Sequence, residues 1–183
     1  MRELSLHILD IVQNAIAAGA SLVTIGIDEQ TGSDLLAISV TDDGCGMPKE
    51  LLKSVSDPFT TTRSTRKVGL GIPLMKAGAL RCGGDLSIRS ELGKGTALTA
   101  TYRLSHIDRP PLGDIAETVV TLVACNPEKP DFVLNYRVDD LEYAFDTRQA
   151  RNALGPVPLT TPEVLAWMSD NLKEGIQDLH GGA

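Results

Sequence analysis

The amino-acid sequence predicts an α+β protein with helices layered on one face of a mostly antiparallel sheet. Three observations carry this expectation. Through residue 103 the elements run helix, two strands, helix, glycine loop, helix, two strands. Both strand pairs flank short turns, EQTGSD and ELGKG, and the first helical segment repeats apolar residues at helical spacing with no glycine or proline inside.

Residues 3–18 place Leu4, Ile8, Val12 and Ile16, with Leu9, Ile11 and Ala15, around a mostly buried helix that Gly19 stops. LVTIGID (22–28) and LLAISVT (35–41) alternate as two strands. The loop DDGCGMP follows, then a short helix over KELLKSV, the Thr/Arg-rich segment SDPFTTTRSTRK, and VGLG leading into the helix IPLMKAGALRC, closed by Gly83 and Gly84. DLSIRS and TALTATYR complete this part.

SHIDRPPLGD changes the texture of the chain, and its paired Pro110 and Pro111 mark a boundary between residues 1–104 and an extension, 105–183. Five of the seven aromatic residues lie in the extension, which is expected to fold. ETVVTLVAC, DFVLNYRV and LEYAFDT read as strands. A final helix spans Pro162 to Leu179, with Thr160 or Thr161 as its cap and Pro162 in its first turn.

Composition narrows the function. The chain has 183 residues, 42% of them hydrophobic, with a mean hydropathy near zero, which describes a soluble globular protein. MRELSLHILD is too charged for a signal peptide, so the cytoplasm is expected. Cys45, Cys82 and Cys125 are too widely spaced for a metal motif and read as free thiols. Basic and acidic residues balance through Leu104, so the net charge of −7 comes from the extension. That balance argues against nucleic acid, which needs a basic face. One stretch is locally basic: Lys49, Lys53, Arg63, Arg66 and Lys67 are opposed only by Glu50 and Asp57.

Several residues carry chemistry. On the first helix Glu3, His7, Asp10 and Asn14 share one direction while nearly every other is apolar. Such a stripe on a buried helix is expected to border a wet cavity, and a carboxylate and an amide one turn apart suit Mg²⁺ and the groups around it. In DDGCGMP, Gly44 and Gly46 let backbone approach a flat ligand, and Asp42 at the strand end can accept a hydrogen bond from an exocyclic amine such as that of adenine. Gly69 and Gly71 precede a helix whose free N–H groups suit phosphate oxygens. Neither a Rossmann fingerprint nor a Walker loop is present.

Taken in order, these segments resemble the GHKL superfamily of ATPases, which includes gyrase, heat-shock chaperones, histidine kinases and MutL. DIVQNAIAAGA matches the N box, with Asn14 at the Mg²⁺-binding position and Asp10 at the acidic position. Asp42, Gly44 and Gly46, followed by Met47, match the first glycine box; DPFTTTR around Phe59 resembles the phenylalanine box; Gly69, Leu70, Gly71 and Ile72 match the second glycine box. Gly83, Gly84, Leu86, Ile88, Ser90, Gly93, Gly95 and Thr96 reproduce the histidine-kinase-like ending. The resemblance covers residues 3–103.

It implies a Bergerat-type two-layer α/β sandwich, with ATP and Mg²⁺ held between helices and sheet under a mobile lid from Pro48 to Val68. Arg63, Arg66 or Lys67 would reach the phosphates, Thr96 would hold adenine through a water, and Asp10 would serve as the base. The chain starts too close to Asp10 to hold an upstream phosphoacceptor domain, so a complete sensor kinase is not expected. The strand that often precedes the N-box helix is also missing, so the acidic extension is expected to complete or cover the sandwich. The preferred reading is a stand-alone cytoplasmic protein kinase similar to anti-sigma-factor serine kinases, acting on a protein partner or phosphoacceptor in trans, with a homodimer as family habit. The alternatives are an ATP-gated clamp or hydrolase with a small transducer region, and a nucleotide-dependent binding regulator with little turnover.

Overall fold

A computed structural model describes residues 3–55 and 71–181. The first helix, α1 (Leu4–Ala17), forms where the apolar spacing places it and buries Leu4, Ile8, Ile11, Val12 and Ala15. It ends as a glycine-capped helix does: Gly19 adopts a φ of 73° and the Ala20 N–H reaches back to the Ala15 carbonyl at 3.1 Å. β1 (Leu22–Gln30) and β2 (Leu35–Asp42) follow as an antiparallel pair. Next come α2 (Lys49–Val55) and α3 (Gly71–Arg81). The end of α3 repeats the device, with Gly83 at a φ of 73° and the Gly84 N–H on the Ala79 carbonyl at 2.9 Å. β3 (Leu86–Glu91) and β4 (Gly95–Arg103) form the second hairpin, and β4 pairs antiparallel with β2.

Beyond residue 104 the chain continues the same sheet. α4 (Ile115–Cys125) leads to β5 (Asp131–Val138), which pairs parallel with β1, and β6 (Leu141–Asp146) pairs antiparallel with β5. The six strands lie in the order β3-β4-β2-β1-β5-β6. α5 (Thr147–Leu154) and α6 (Pro162–Leu179) close the chain.

Register explains the layering. Ile25 lies beside Val40 on one side and Leu134 on the other, and Ile38 lies beside Ala100. All are buried, whereas their alternate neighbours Thr24, Ser39, Thr99 and Asn135 are not. One face of the sheet therefore carries the core, continuous with α1, α3, α4 and α6. The other face is polar and uncovered by any described helix. The predicted α+β sandwich is the observed architecture.

Two elements of the extension differ from the sequence expectation. ETVVTLVAC is helix α4, not a strand. Its β-branched run favours extended chain locally, but Asp114 caps it by accepting the Glu117 N–H at 2.8 Å, a D-x-x-E start. Ile115, Val119, Leu122 and Val123 then fall on one buried stripe. Alternation and helical phase are hard to separate in so short an apolar run, and the cap decides. The helix α5 was not anticipated; Asp146 caps it by accepting the Arg148 N–H. Cys45, Cys82 and Cys125 are free thiols. Among the described residues no helix is long and apolar enough to cross a membrane.

Candidate functional site

A cleft of about 460 Å³ opens between α1, the loop after β2, α2, the start of α3 and the β3–β4 hairpin. Its volume is in the range of small-molecule sites. Ile11, Ala15, Val40, Leu51, Ile72 and Leu98 make an apolar slot, and Asn14, Asp42 and Thr96 supply polar groups. Such a slot, with a carboxylate at its edge, suits a flat heterocycle bearing a donor.

The loop forming one wall is held from several sides. Asp42 Oδ1 accepts the Gly44 N–H at 2.8 Å, while Asp43 Oδ1 accepts the N–H groups of Ser21 and Leu22 at 2.7 and 2.9 Å, tying the loop to the start of β1. The Cys45 N–H donates to the Ala18 carbonyl, and the Cys45 carbonyl accepts from the Gly93 N–H, both at 2.9 Å. Met47 donates its N–H to Ser90 Oγ at 2.8 Å, and Ser90 Oγ lies 2.9 Å from both the Gly95 carbonyl and Thr96 Oγ1. Gly46 has a φ of 65°, and a side chain there would run into the Glu91 carbonyl. Only glycine lets the loop press this closely on the hairpin.

Burial pushes the Asp42 carboxyl above the usual carboxylate range, the N–H groups of Gly44 and Thr96 pull it back, and the negative charge of Asp43 adds to the rise. A carboxylate kept at this cost beside an apolar slot is a functional signature.

Asn14, Asp42, Gly46, Met47, Ile72 and Thr96 line the cleft, and Gly44 is buried beside Asp42. Asp10, one turn before Asn14, meets the first residue of α3: a Cβ on Gly71 would fall 2.6 Å from Asp10 Cβ. Glycine therefore sets the approach of α3 to α1, and brings the first turn of α3 next to the Asp10 carboxylate. Phe59, Arg63, Arg66, Lys67, Gly69 and Leu70 lie outside the described residues, as does most of the span expected to form a lid. The polar stripe of α1 does not border the cleft throughout, since His7 is buried and Glu3 faces Ser5 and Gly113.

Sequence reasoning did not assign site roles to Asp43, Ser90 or, Met47 and Ile72 apart, the apolar lining. Ile11 and Ala15 flank Asn14 on its helix, and Leu98 follows Thr96 by two residues along β4, so periodicity could have found them. The link from Asp43 to Ser21 and Leu22 leaves no local pattern.

The family model described as histidine kinase-, DNA gyrase B-, and HSP90-like ATPase matches residues 2–106. Among curated proteins, the chain is 37% identical over 103 residues to the sensor histidine kinase WalK of Bacillus subtilis, covering 52% of this chain and 17% of that protein. It is 34% identical over 96 residues to sporulation kinase C of the same organism, covering 52% and 22%. A putative sensor protein of Shewanella frigidimarina is 32% identical over 103 residues, covering 55% and 16%. The chain thus spans less than a quarter of the length of these relatives. A solved structure, the N-terminal domain of a DNA repair protein, aligns with a TM-score of 0.53 at 12% identity, covering 79% of this chain and 52% of that one. That likeness is one of fold, and it reaches beyond the residues that the family model matches.

Proposed function

The chain belongs to the histidine kinase-, DNA gyrase B- and HSP90-like ATPases, and from that premise we propose that it binds Mg²⁺-ATP in the cleft and passes the terminal phosphoryl group to an acceptor on a partner protein. Residues 2–106 are an ATP-binding domain of histidine-kinase type. The observation that carries the proposal is the convergence of Asn14, Asp42, Met47 and Thr96, from α1, the end of β2, the glycine loop and β4, on one apolar slot.

The residues present fit the nucleotide and its metal. Asp42 would accept from the adenine amine, with Thr96 beside it, while Met47, Ile72 and Leu98 enclose the ring. No group of three or more His, Cys, Asp or Glu among the described residues could hold a metal alone. This suits Mg²⁺, which takes one or two protein ligands and completes its shell with phosphate oxygens and water. Asn14 would be such a ligand. The metal, when bound, would supply positive charge to offset that of the phosphates.

In the kinase reading, the chain's own groups divide the work. Asn14 orients the phosphates from α1, the N–H groups at the start of α3 stabilise charge on their oxygens, and Asp10 receives the proton of the attacking hydroxyl. A cation among Arg63, Arg66 and Lys67 would complete the enclosure. The acceptor is a side chain of a partner protein, as for stand-alone regulatory kinases, in the cytoplasm, and the chain itself acts as a dimer.

A second reading is an ATP-gated clamp or hydrolase. The feature that favours it is the parallel pairing of β5 with β1, which joins the extension to the sheet that carries Asp42. Incubation with γ-labelled ATP and candidate partners separates the readings. Label on a partner supports the kinase, free phosphate alone supports the hydrolase, and nucleotide binding without either leaves a binding regulator.

A further inference from the structure

The last helix carries a surface that its packing does not explain. α6 docks through Val164, Met168, Leu172 and Leu179, all buried, so its apolar seam is already satisfied. Trp167 lies well off that seam and is 50% exposed. At 3.6 residues per turn, Glu163, Asp170, Glu174 and Asp178 share with Trp167 a sector of about 80°, and all four carboxylates are exposed. None of the four is in an ion pair among the described residues, and Lys173 is the only Lys or Arg on the helix. Asp170 and Glu174, and Glu174 and Asp178, are like charges at i and i+4, an arrangement that weakens a helix.

The stripe has a defined place in the fold. Asn171, one step round from it, accepts the Tyr143 hydroxyl at 2.7 Å, and Gly175 packs against the Tyr143 ring. Tyr143 belongs to β6, the terminal strand of the sheet. The stripe therefore runs down the outer flank of the helix layer. It is remote from α2, which packs by β3 at the opposite edge of the sheet.

We propose that this flank is a docking surface for a basic segment of a partner protein, with Trp167 stacking on an Arg or Lys side chain and the flanking carboxylates engaging its neighbours. Charge complementarity selects the partner. A large aromatic face ringed by uncompensated carboxylates attracts cations through both the ring quadrupole and the local field, and arginine, planar and weakly hydrated, suits both. An apolar partner would bury the carboxylates unpaired, and an acidic one would be repelled. The inference goes beyond the nucleotide reading and does not depend on it, because no residue of the cleft takes part.

Trp167 is the sole tryptophan of the chain, so its fluorescence reports the site directly. The full chain is titrated with a short Arg/Ala peptide, by fluorescence and calorimetry, across a salt series. Saturable binding that shifts the Trp167 emission and weakens with salt is expected. Trp167→Leu keeps apolar bulk but removes most of the ring attraction, and should weaken calorimetric binding by about three- to ten-fold. Glu163→Gln with Glu174→Gln should weaken it by about ten-fold and flatten its salt dependence. Glu50→Gln with Asp108→Asn removes the same charge at exposed positions elsewhere and should change it little. Three results overturn the proposal: no saturable binding, equal weakening by the remote pair, or indifference to Trp167→Leu. A dimer in sedimentation that Trp167→Leu dissociates would also overturn it, by assigning the flank to a second copy of this chain.

Discussion

Replacing Asp42 with asparagine should weaken nucleotide binding while making the nucleotide-free protein more stable. The substitution is isosteric, so its effect comes from charge and hydrogen-bond direction. In the structure the carboxylate answers the N–H groups of Gly44 and Thr96 and still has lone pairs for a ligand. An asparagine has one oxygen. Held on the Gly44 N–H, it turns its NH₂ toward the ligand's amine, and donor faces donor. The lost hydrogen bond to a charged acceptor is worth about 1.5 to 3 kcal/mol, or ten-fold or more in affinity. Stability moves the other way. The folded-state pKa of Asp42 is raised, so the ionised form opposes folding at neutral pH, and that penalty disappears as pH falls through the folded pKa. An uncharged residue removes it at every pH. Calorimetry with ATP and a thermal melt without nucleotide check both halves. Unchanged affinity would refute the adenine-acceptor role, and a melting temperature that falls would refute the account of the buried charge.

Other consequences follow from the same geometry. Asp10→Asn should keep nucleotide affinity but slow phosphoryl transfer or hydrolysis by about 10² to 10⁴, whereas Asn14→Ala should lose Mg²⁺-dependent binding itself; calorimetry with and without Mg²⁺, beside turnover with labelled ATP, distinguishes the two. Gly46→Ala must hold a side chain at positive φ against the Glu91 carbonyl, costing ~2 kcal/mol or more, which lowers the melting temperature by about 4 to 8 °C for a chain of this size. Asp34 bonds Arg103 and Ser105, and Arg103 chiefly holds its carboxyl down at about 2. The stability it contributes is present above its unfolded value of 3.8 and is lost as pH falls through the folded one; melts of Asp34→Asn should therefore lie below those of the parent at neutral pH and converge with them toward pH 2. A chain ending at Leu104 should aggregate or melt early, because it strips β5 from β1 and removes the Pro111 and Leu112 carbonyls that accept from the first N–H groups of α1.

What the sequence made legible was what local chemistry decides. The glycines at 19 and 83 stop helices by a backbone conformation that needs no tertiary partner, and α6, with Pro162 in its first turn, starts and ends at the expected residues. Strand alternation was readable in β1 and β2 because one face of the sheet is buried. The candidate site residues were read as spacings: Asp10 and Asn14 one helical turn apart, Asp42 before two glycines. What stayed hidden was whatever two distant segments decide together. ETVVTLVAC has the composition of a strand, and only the Asp114 cap and the burial of one helical stripe against the rest of the fold make it α4. The links from Asp43 to β1 and from Ser90 to Met47 likewise join segments far apart in the chain.

The placement of β1 explains why the extension belongs in any account of the cleft. β1 is bonded on one side to β2, whose last residue is Asp42, and on the other to β5, the first strand of the extension. Asp43 accepts the N–H groups of Ser21 and Leu22, and the Asp131 N–H donates to the Ser21 carbonyl. One peptide segment at the head of β1 thus ties down both the glycine loop and the start of β5. α1 repeats the arrangement in the helix layer: it carries Asp10 against the start of α3 and packs against α4 as well. A displacement of the glycine loop on nucleotide binding must therefore either be absorbed at Ser21 and Leu22 or passed to β5. Ser21 is exposed, but Val23, the residue of β1 after Leu22, is fully buried, and a close-packed core leaves little room for movement there.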